Sequence, residues 1–316
     1  MMKIYKTADE QGFFREISRI EKGCWINLVA PNVQEINTLC NSIGVREDFL
    51  RYPLDQEEKA RIDVEDDQVL IIADVPIIES GDKETEGMFS TMPLGMIVVK
   101  DDYFITVCTK ENAILEEFIN CKIKNFYTYK KTRFILQILF KMATYYLTYL
   151  KYINRETDKA ENRLQKSMKN QELIKLLSLE KSLVYFTTSL KSNEIVMEKL
   201  LRGNYIKMYE EDEDILEDAI VENKQAIEMG TIYRDILSGT MDAYASVISN
   251  NLNIVMKFLA SITIVLSIPT IVASLWGMNV NGLPFAYNPY GFIIILGIAI
   301  AISVGAFVYM KKKDML

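Results

Sequence analysis

Asn279 closes a row of side-chain oxygens spaced along one side of a helix. Thr263, Ser267, Thr270 and Ser274 follow steps of four, three and four residues, which stacks them on one helix face. Extended toward the N-terminus, the same face carries Ala260, Met256 and Asn253. At the other end Gly277-Met278-Asn279 follows directly. The chain contains no histidine, so the commonest transition-metal ligand and general base is missing. A metal handled here meets oxygen atoms or thioether sulfur. Two readings compete for the hydroxyls. Ser and Thr in apolar helices bond their own backbone and permit close helix packing. A stripe several turns long that ends beside Asn279 points instead to the lining of a pore. One two-helix chain cannot enclose a pore, so that reading requires a ring of copies.

The elements that position these residues are hydrophobic. From Phe258 to Met310 there is no Asp, Glu, Lys or Arg. Residues 258–276 and 292–310 are each long enough to span a bilayer. Lys257 precedes the first span and Lys311-Lys312-Lys313 follow the second. Lys and Arg favour the cytoplasmic side, so both termini are expected inside and the 277–291 loop outside. Trp276, Tyr287, Tyr290 and Tyr309 fall where interfacial aromatics belong. The second span is nearly all Ile, Ala, Gly, Val and Phe, which suits lipid, and residues 311–316 form a basic tail. The expected location is the cell membrane.

The rest of the 316 residues read as a charged, soluble body. Residues 1–125 are expected to form a cytoplasmic α/β domain. Strands are read at 24–29 and 69–75, ended by Pro31 and Pro76, and at 95–99 and 103–108 around a Lys100-Asp101-Asp102 turn. A helix is read from Asn32, its cap, to Ile43. The polar stretch Gly81 to Gly87 reads as a loop. Residues 126–208 are expected to form a cytoplasmic helical hairpin, because Phe134, Leu136, Ile138, Leu139, Met142, Tyr145, Tyr146, Tyr149 and Tyr152 recur at helical spacing. Residues 209–257 are expected to be a stalk helix. Ile220, Ile227, Met241, Ile248 and Val255 follow steps that are multiples of seven, which suggests packing against copies. Gly230 and Gly239 interrupt the pattern. Unbroken to Trp276, such a helix would be about 100 Å long.

Several classes of function are excluded or disfavoured. The net charge of −7 argues against a nucleic-acid partner. The first residues lack the apolar core of a signal peptide. The four cysteines have no metal-ligand spacing. With no histidine, no phosphate-binding loop and no recognisable nucleophile–base pair, the chain reads as no enzyme.

The last hundred residues resemble the CorA family of divalent-cation channels. The resemblance is carried by Gly277-Met278-Asn279 at the outer end of the first of two C-terminal spans, by Ile232 to Gly239, by Asn253-Ile254-Val255-Met256-Lys257 and by the final lysines. Asp55 to Pro76 loosely resembles the family's cytoplasmic domain. The fold class implied is an α+β membrane protein. It has an N-terminal cytoplasmic α/β domain, a long helical stalk and two C-terminal transmembrane helices, assembled as a homopentamer in the lipid bilayer.

The resemblance also implies roles. First helices from all copies line the pore. Gly277, Met278 and Asn279 form a selectivity filter, in which the Asn279 amide oxygen holds hydrated Mg²⁺ and Gly277 exposes its carbonyl. Such neutral oxygens suit an ion that gives up water reluctantly. Met256 and Leu259 match a hydrophobic constriction that gates by dewetting, and Asn253 matches a polar ring. The membrane potential drives influx, about 4.6 kcal/mol per divalent ion at about 100 mV. Cytoplasmic Mg²⁺ is implied to hold the pore shut through Asp218, with Asp214, Glu217 and Glu222 as candidate helpers and Asp82 and Glu84 as candidates for the partner from the N-terminal domain. The alternative for this acidic run is a solvated helix face. Mg²⁺ is thus both cargo and regulator, with no organic cofactor, and Co²⁺ or Ni²⁺ are further cargo.

Two departures from the family stand out. The outer loop reads Leu283-Pro284-Phe285-Ala286 where the family often has Met-Pro-Glu-Leu, and it has no acid. Ser267 replaces a bulky methionine of some members, so a second gate there is missing or merely wet. Competing readings are a Zn²⁺ or Co²⁺ transporter of the same family, and a membrane-anchored sensor or scaffold without transport.

Overall fold

The computed structural model describes residues 1–8, 13–79, 88–167, 170–280, 282–285 and 287–313. Two compact units divide the chain, Met1–Ser238 and Gly239–Leu316.

In the first unit the described strands form one seven-stranded sheet, in the order β2-β1-β3-β7-β6-β5-β4. They are β1 (Met2–Ala8), β2 (Phe13–Ile17), β3 (Trp25–Val29), β4 (Arg61–Glu65), β5 (Gln68–Ile78), β6 (Phe89–Val99) and β7 (Tyr103–Cys108). Only β3 and β7 pair in parallel. Pleating sends alternate residues to opposite faces, and both faces are covered. Ile26, Leu28, Leu70, Ile72, Ile97, Val99, Ile105 and Val107 share one core with Ile36 and Leu39 of α1 (Val33–Ile43) and Phe49 and Leu50 of α2 (Glu47–Arg51). The other face holds Trp25 and Phe104, whose rings lie 4.9 and 4.8 Å from Phe134 of α4 (Lys131–Ser167). Helices α3 (Ala113–Ile119) and α5 (Asn170–Arg202) complete that layer.

Local chemistry explains the element ends. Asn32 and Glu35 form a reciprocal capping box at the start of α1, and Gly44 ends the helix at φ 74°. Lys100 and Asp101 both take φ 52° in the β6–β7 turn, the left-handed pair that suits a tight hairpin.

Several elements differ from the sequence expectations. Strand β5 does not stop at Pro76 but runs to Ile78, with Pro76 opposite Thr91. Asp74 donates its backbone N–H to Asn193 Oδ1, away from β6. Two residues on, Pro76 turns the same way, beyond the end of β4 pairing at Ile72. Its missing N–H therefore deprives no strand. Strand β6 likewise begins at Phe89 rather than at 95. Strands β1, β2 and β4 add to the strands expected from the sequence. Their short, charged stretches become strands through pairing with neighbours.

Helix α6 (Glu210–Trp276) is continuous for 67 residues and passes through Gly230, Gly239 and Pro269. Within the first unit Leu216, Ala219 and Ala226 are buried. Asn223 Nδ2 donates to the Leu190 carbonyl of α5 at 3.0 Å. At Gly230 a Cβ would approach Thr187 Cγ2 to 2.8 Å, so close packing on α5 requires glycine there. Of the residues spaced in multiples of seven, Ile220 is absorbed into this fold, whereas Ile248 and Val255 are exposed.

The second unit contains the remainder of α6 and α7 (Gly291–Lys312). Both helices are long and apolar enough to cross a membrane, and their apolar stretches are largely exposed.

Candidate functional site

Along the apolar part of α6 the small and hydroxylated residues separate from a shielded seam. Thr263, Thr270 and Ser274 are exposed, as are Asn253, Met256, Leu259 and Ala260, and Ser267 is half-exposed. Ser261 is fully buried, and Val265, Ile268, Val272 and Trp276 are partly covered at helical spacing. At about 100° per residue, the seam and the stripe point about 150° apart. On α7, Ile295, Ala299, Ser303, Ala306 and Met310 form a matching shielded line. In a two-helix hairpin this shielding marks the sides that the helices turn to each other. The stripe is therefore on the side of α6 away from α7. Ser261 looks like a stripe member by composition, but it belongs to the seam.

The hydroxyls bond their own backbone, as Ser and Thr in apolar helices do. Thr263 Oγ1 donates to the Leu259 carbonyl at 2.8 Å, Ser267 Oγ to Thr263 at 2.7 Å and Thr270 Oγ1 to Leu266 at 3.4 Å. Each proton is thus engaged within the helix, while the oxygen keeps acceptor capacity. An exposed row of such oxygens can receive hydrogen bonds from water, including the outward-pointing hydrogens of a hydrated cation.

The tripeptide follows the end of α6. Gly277 donates its N–H to Ala273 O at 2.9 Å, the last turn of the helix. A Cβ on Gly277 would lie 3.1 Å from that oxygen, which explains a glycine here without any unusual φ. Met278 and Asn279 are exposed, and Val280 N–H bonds the Met278 carbonyl at 3.0 Å. The C-terminal end of α6 carries partial negative charge from its last carbonyls, next to the Asn279 amide. The loop is tied back to the helix by Trp276, whose Nε1 donates to Pro284 O at 3.1 Å. Phe285 adopts φ 64°, and a Cβ on Gly291 would come within 2.3 Å of its carbonyl. Sequence reasoning treated Trp276 only as an interfacial aromatic and missed this tie. Its signal is distributed over residues far apart in the loop.

The acidic start of α6 is dispersed. Asp214, Glu217 and Asp218 are exposed, and Glu222 is half-exposed. Among the described residues, no three Asp, Glu or Cys side chains gather into a metal site. Asp82 and Glu84 lie outside the described residues.

Known proteins resemble this chain along most of its length. The family model described as "CorA-like Mg2+ transporter protein" matches residues 21–312. The cobalt/magnesium transport protein CorA of Methanocaldococcus jannaschii is 30% identical over 295 residues, covering 92% of this chain and 90% of that one. The magnesium transport protein CorA of Helicobacter pylori strain J99 is 21% identical over 301 residues, with 92% and 90% covered. The complete structure of the M. jannaschii CorA magnesium transporter superposes with a TM-score of 0.81 at 25% identity, over 98% of this chain and 96% of that one. With the family model spanning nearly the whole chain, this protein belongs to the CorA family.

Proposed function

We propose that the protein conducts hydrated divalent cations, Mg²⁺ foremost and Co²⁺ or Ni²⁺ besides, down the membrane potential through a pore enclosed by a pentamer. The observation that carries this reading is the outward stripe on α6. Its oxygens turn away from the helix that shares their chain and end at Asn279. A ring of copies would bring these faces together. Asn279 amides and the helix-end carbonyls would then meet an ion at the outer mouth. Neutral acceptors suit Mg²⁺, which keeps several waters. The names of the relatives support magnesium and cobalt as cargo. Lys257 before the first span and Lys311 to Lys313 after the second favour cytoplasmic termini.

Regulation by internal Mg²⁺ is proposed at Asp218, helped by Asp214, Glu217 and Glu222, with carboxylates of a neighbouring copy completing the site. Exposure of these groups on one chain supports an intersubunit arrangement. Zn²⁺ or Co²⁺ as main cargo is the second reading. The absence of histidine weighs against a dedicated zinc path.

The test is potential-driven Mg²⁺ uptake into liposomes. Asn279→Ala should lower uptake by at least about tenfold, since every copy loses an acceptor worth about 1 kcal/mol. Asp218→Asn should leave uptake less inhibited by Mg²⁺ on the cytoplasmic side. Zn²⁺ flux without Mg²⁺ flux would shift the assignment to the second reading. A folded oligomer that passes no ion would leave a membrane-anchored scaffold.

A further inference from the structure

A cavity of about 690 Å³ opens in the first unit between the start of α4 and the start of α6, far in sequence from the pore stripe. Its volume falls in the range of small-molecule sites. One wall is basic: Lys130, Lys131, Arg133 and Lys207 line it. Thr132 Oγ1 donates to the Lys207 carbonyl at 2.8 Å and binds the two segments together.

The acids nearby do not use up this charge. Asp101 pairs with Lys131 at 3.2 Å, and Glu211 pairs with Arg133 Nη1 at 3.1 Å. Asp212 is buried and its carboxylate accepts the Tyr209 N–H at 3.3 Å. Glu210 is exposed on the rim. Lys130 and Lys207 have no carboxylate partner among the described residues. Their ammonium groups lie 5.4 and 5.5 Å from the rings of Tyr127 and Tyr209. The Nε of Arg133 is buried with no acceptor, alone among the side-chain nitrogens and oxygens of the described residues. A buried donor without a partner costs stability, so an acceptor supplied from outside would relieve it. Basic residues also open α4, where the positive helix end disfavours them.

We propose that this cavity binds a polyphosphate chain, either inorganic or carried by a nucleotide. Arg133 supplies its guanidinium, and Lys130 and Lys207 supply mobile charge. Glu211 competes with the ligand for the Arg133 guanidinium. A planar guanidinium suits phosphate oxygens, and a chain of several phosphates fills the space better than one.

The test is calorimetric titration of the full-length oligomer in detergent with tripolyphosphate and, separately, with ATP. Divalent-free buffer keeps chelation from mimicking an effect. Saturable binding of either is expected, weakening as salt is raised. Arg133→Gln should weaken it by about tenfold or more, the loss of a charge-assisted hydrogen bond. Glu211→Gln should instead tighten it by about two- to fivefold, the range of one partly exposed ion pair. A passive structural role for these cations predicts no such tightening. The pair Lys130→Gln and Lys207→Gln, both exposed, serves if the Arg133 variant does not fold. Equal binding by ATP and tripolyphosphate supports the phosphate chain as the recognised group, and tighter ATP binding adds the nucleoside to it. Absence of saturable binding to the folded protein, or binding indifferent to all these substitutions, overturns the proposal.

Discussion

Asp74 sits in the sheet with its carboxyl largely but not fully buried and no cation paired to it among the described residues. Its backbone is held on three sides: N–H to Asn193 Oδ1, and the carbonyl receiving Asn193 Nδ2 and the Tyr146 hydroxyl. Burial pushes its pKa up to about 6, only partly offset by the Ser189 hydroxyl. The folded state therefore holds this proton more tightly than the unfolded chain. Stability from this group is greatest below about pH 4 and falls as pH rises to about 6. At neutral pH the ionised group costs on the order of 2–3 kcal/mol. Asp74→Asn should raise the melting midpoint of the Met1–Ser238 unit by several degrees at pH 7.5, with the gain shrinking toward pH 4. An equal gain at both pH values would remove the carboxylate as the cause. Gly95 gives a second residue-scale expectation. A Cβ there would meet Pro53 Cγ at 2.2 Å, and a proline ring cannot swing aside. Gly95→Ala should destabilise by about 1–3 kcal/mol, as overpacking does, read by denaturant unfolding.

At the scale of elements, α6 has two unlike sides, one exposed and one shielded. The stripe and the seam should therefore respond differently to substitution. Thr263→Val, Ser267→Ala and Thr270→Val together remove exposed acceptors and change volume little. They should reduce Mg²⁺ flux several-fold while the oligomer still elutes intact. Ser261→Leu places bulk at a fully buried position. It should destabilise the hairpin, visible as a lower melting midpoint in detergent, before it affects ion preference. A triple stripe variant with full flux would mean that these hydroxyls only bond their own helix. The stripe was readable because helical spacing is local. The seam was not, because Ser261 differs from Thr263 only in what lies opposite.

For the whole molecule, exposed apolar residues on α6 need cover from lipid or from other copies. Leu252, Val255, Met256 and Leu259 are each more than half exposed. Met256 and Leu259 lie on or beside the stripe, where a ring of copies would narrow the path. Met256→Ser with Leu259→Ser should wet that constriction and raise basal flux several-fold. Unchanged or lower flux would place the narrow point elsewhere. Flux through every variant should scale with imposed potential, since a divalent ion gains about 4.6 kcal/mol per 100 mV.

Family membership, the two apolar helices and the positions of Gly277, Met278 and Asn279 were legible in the sequence. Charge exclusion over 258–310 and helical spacing are properties of neighbours along the chain, and a bilayer leaves few ways to satisfy the backbone. The helix from Asn32 was legible for the same reason, since its cap lies three residues from its partner. Tertiary structure decided what depends on distant partners. Strand β1 exists because β2 and β3 pair with it. Pro76 is tolerated because β4 has already ended, Asp74 is perturbed because α4 and α5 bury it, and the Nε of Arg133 lacks an acceptor where the starts of two helices meet. Each of these turns on contacts between residues far apart in the chain, which only folding brings together.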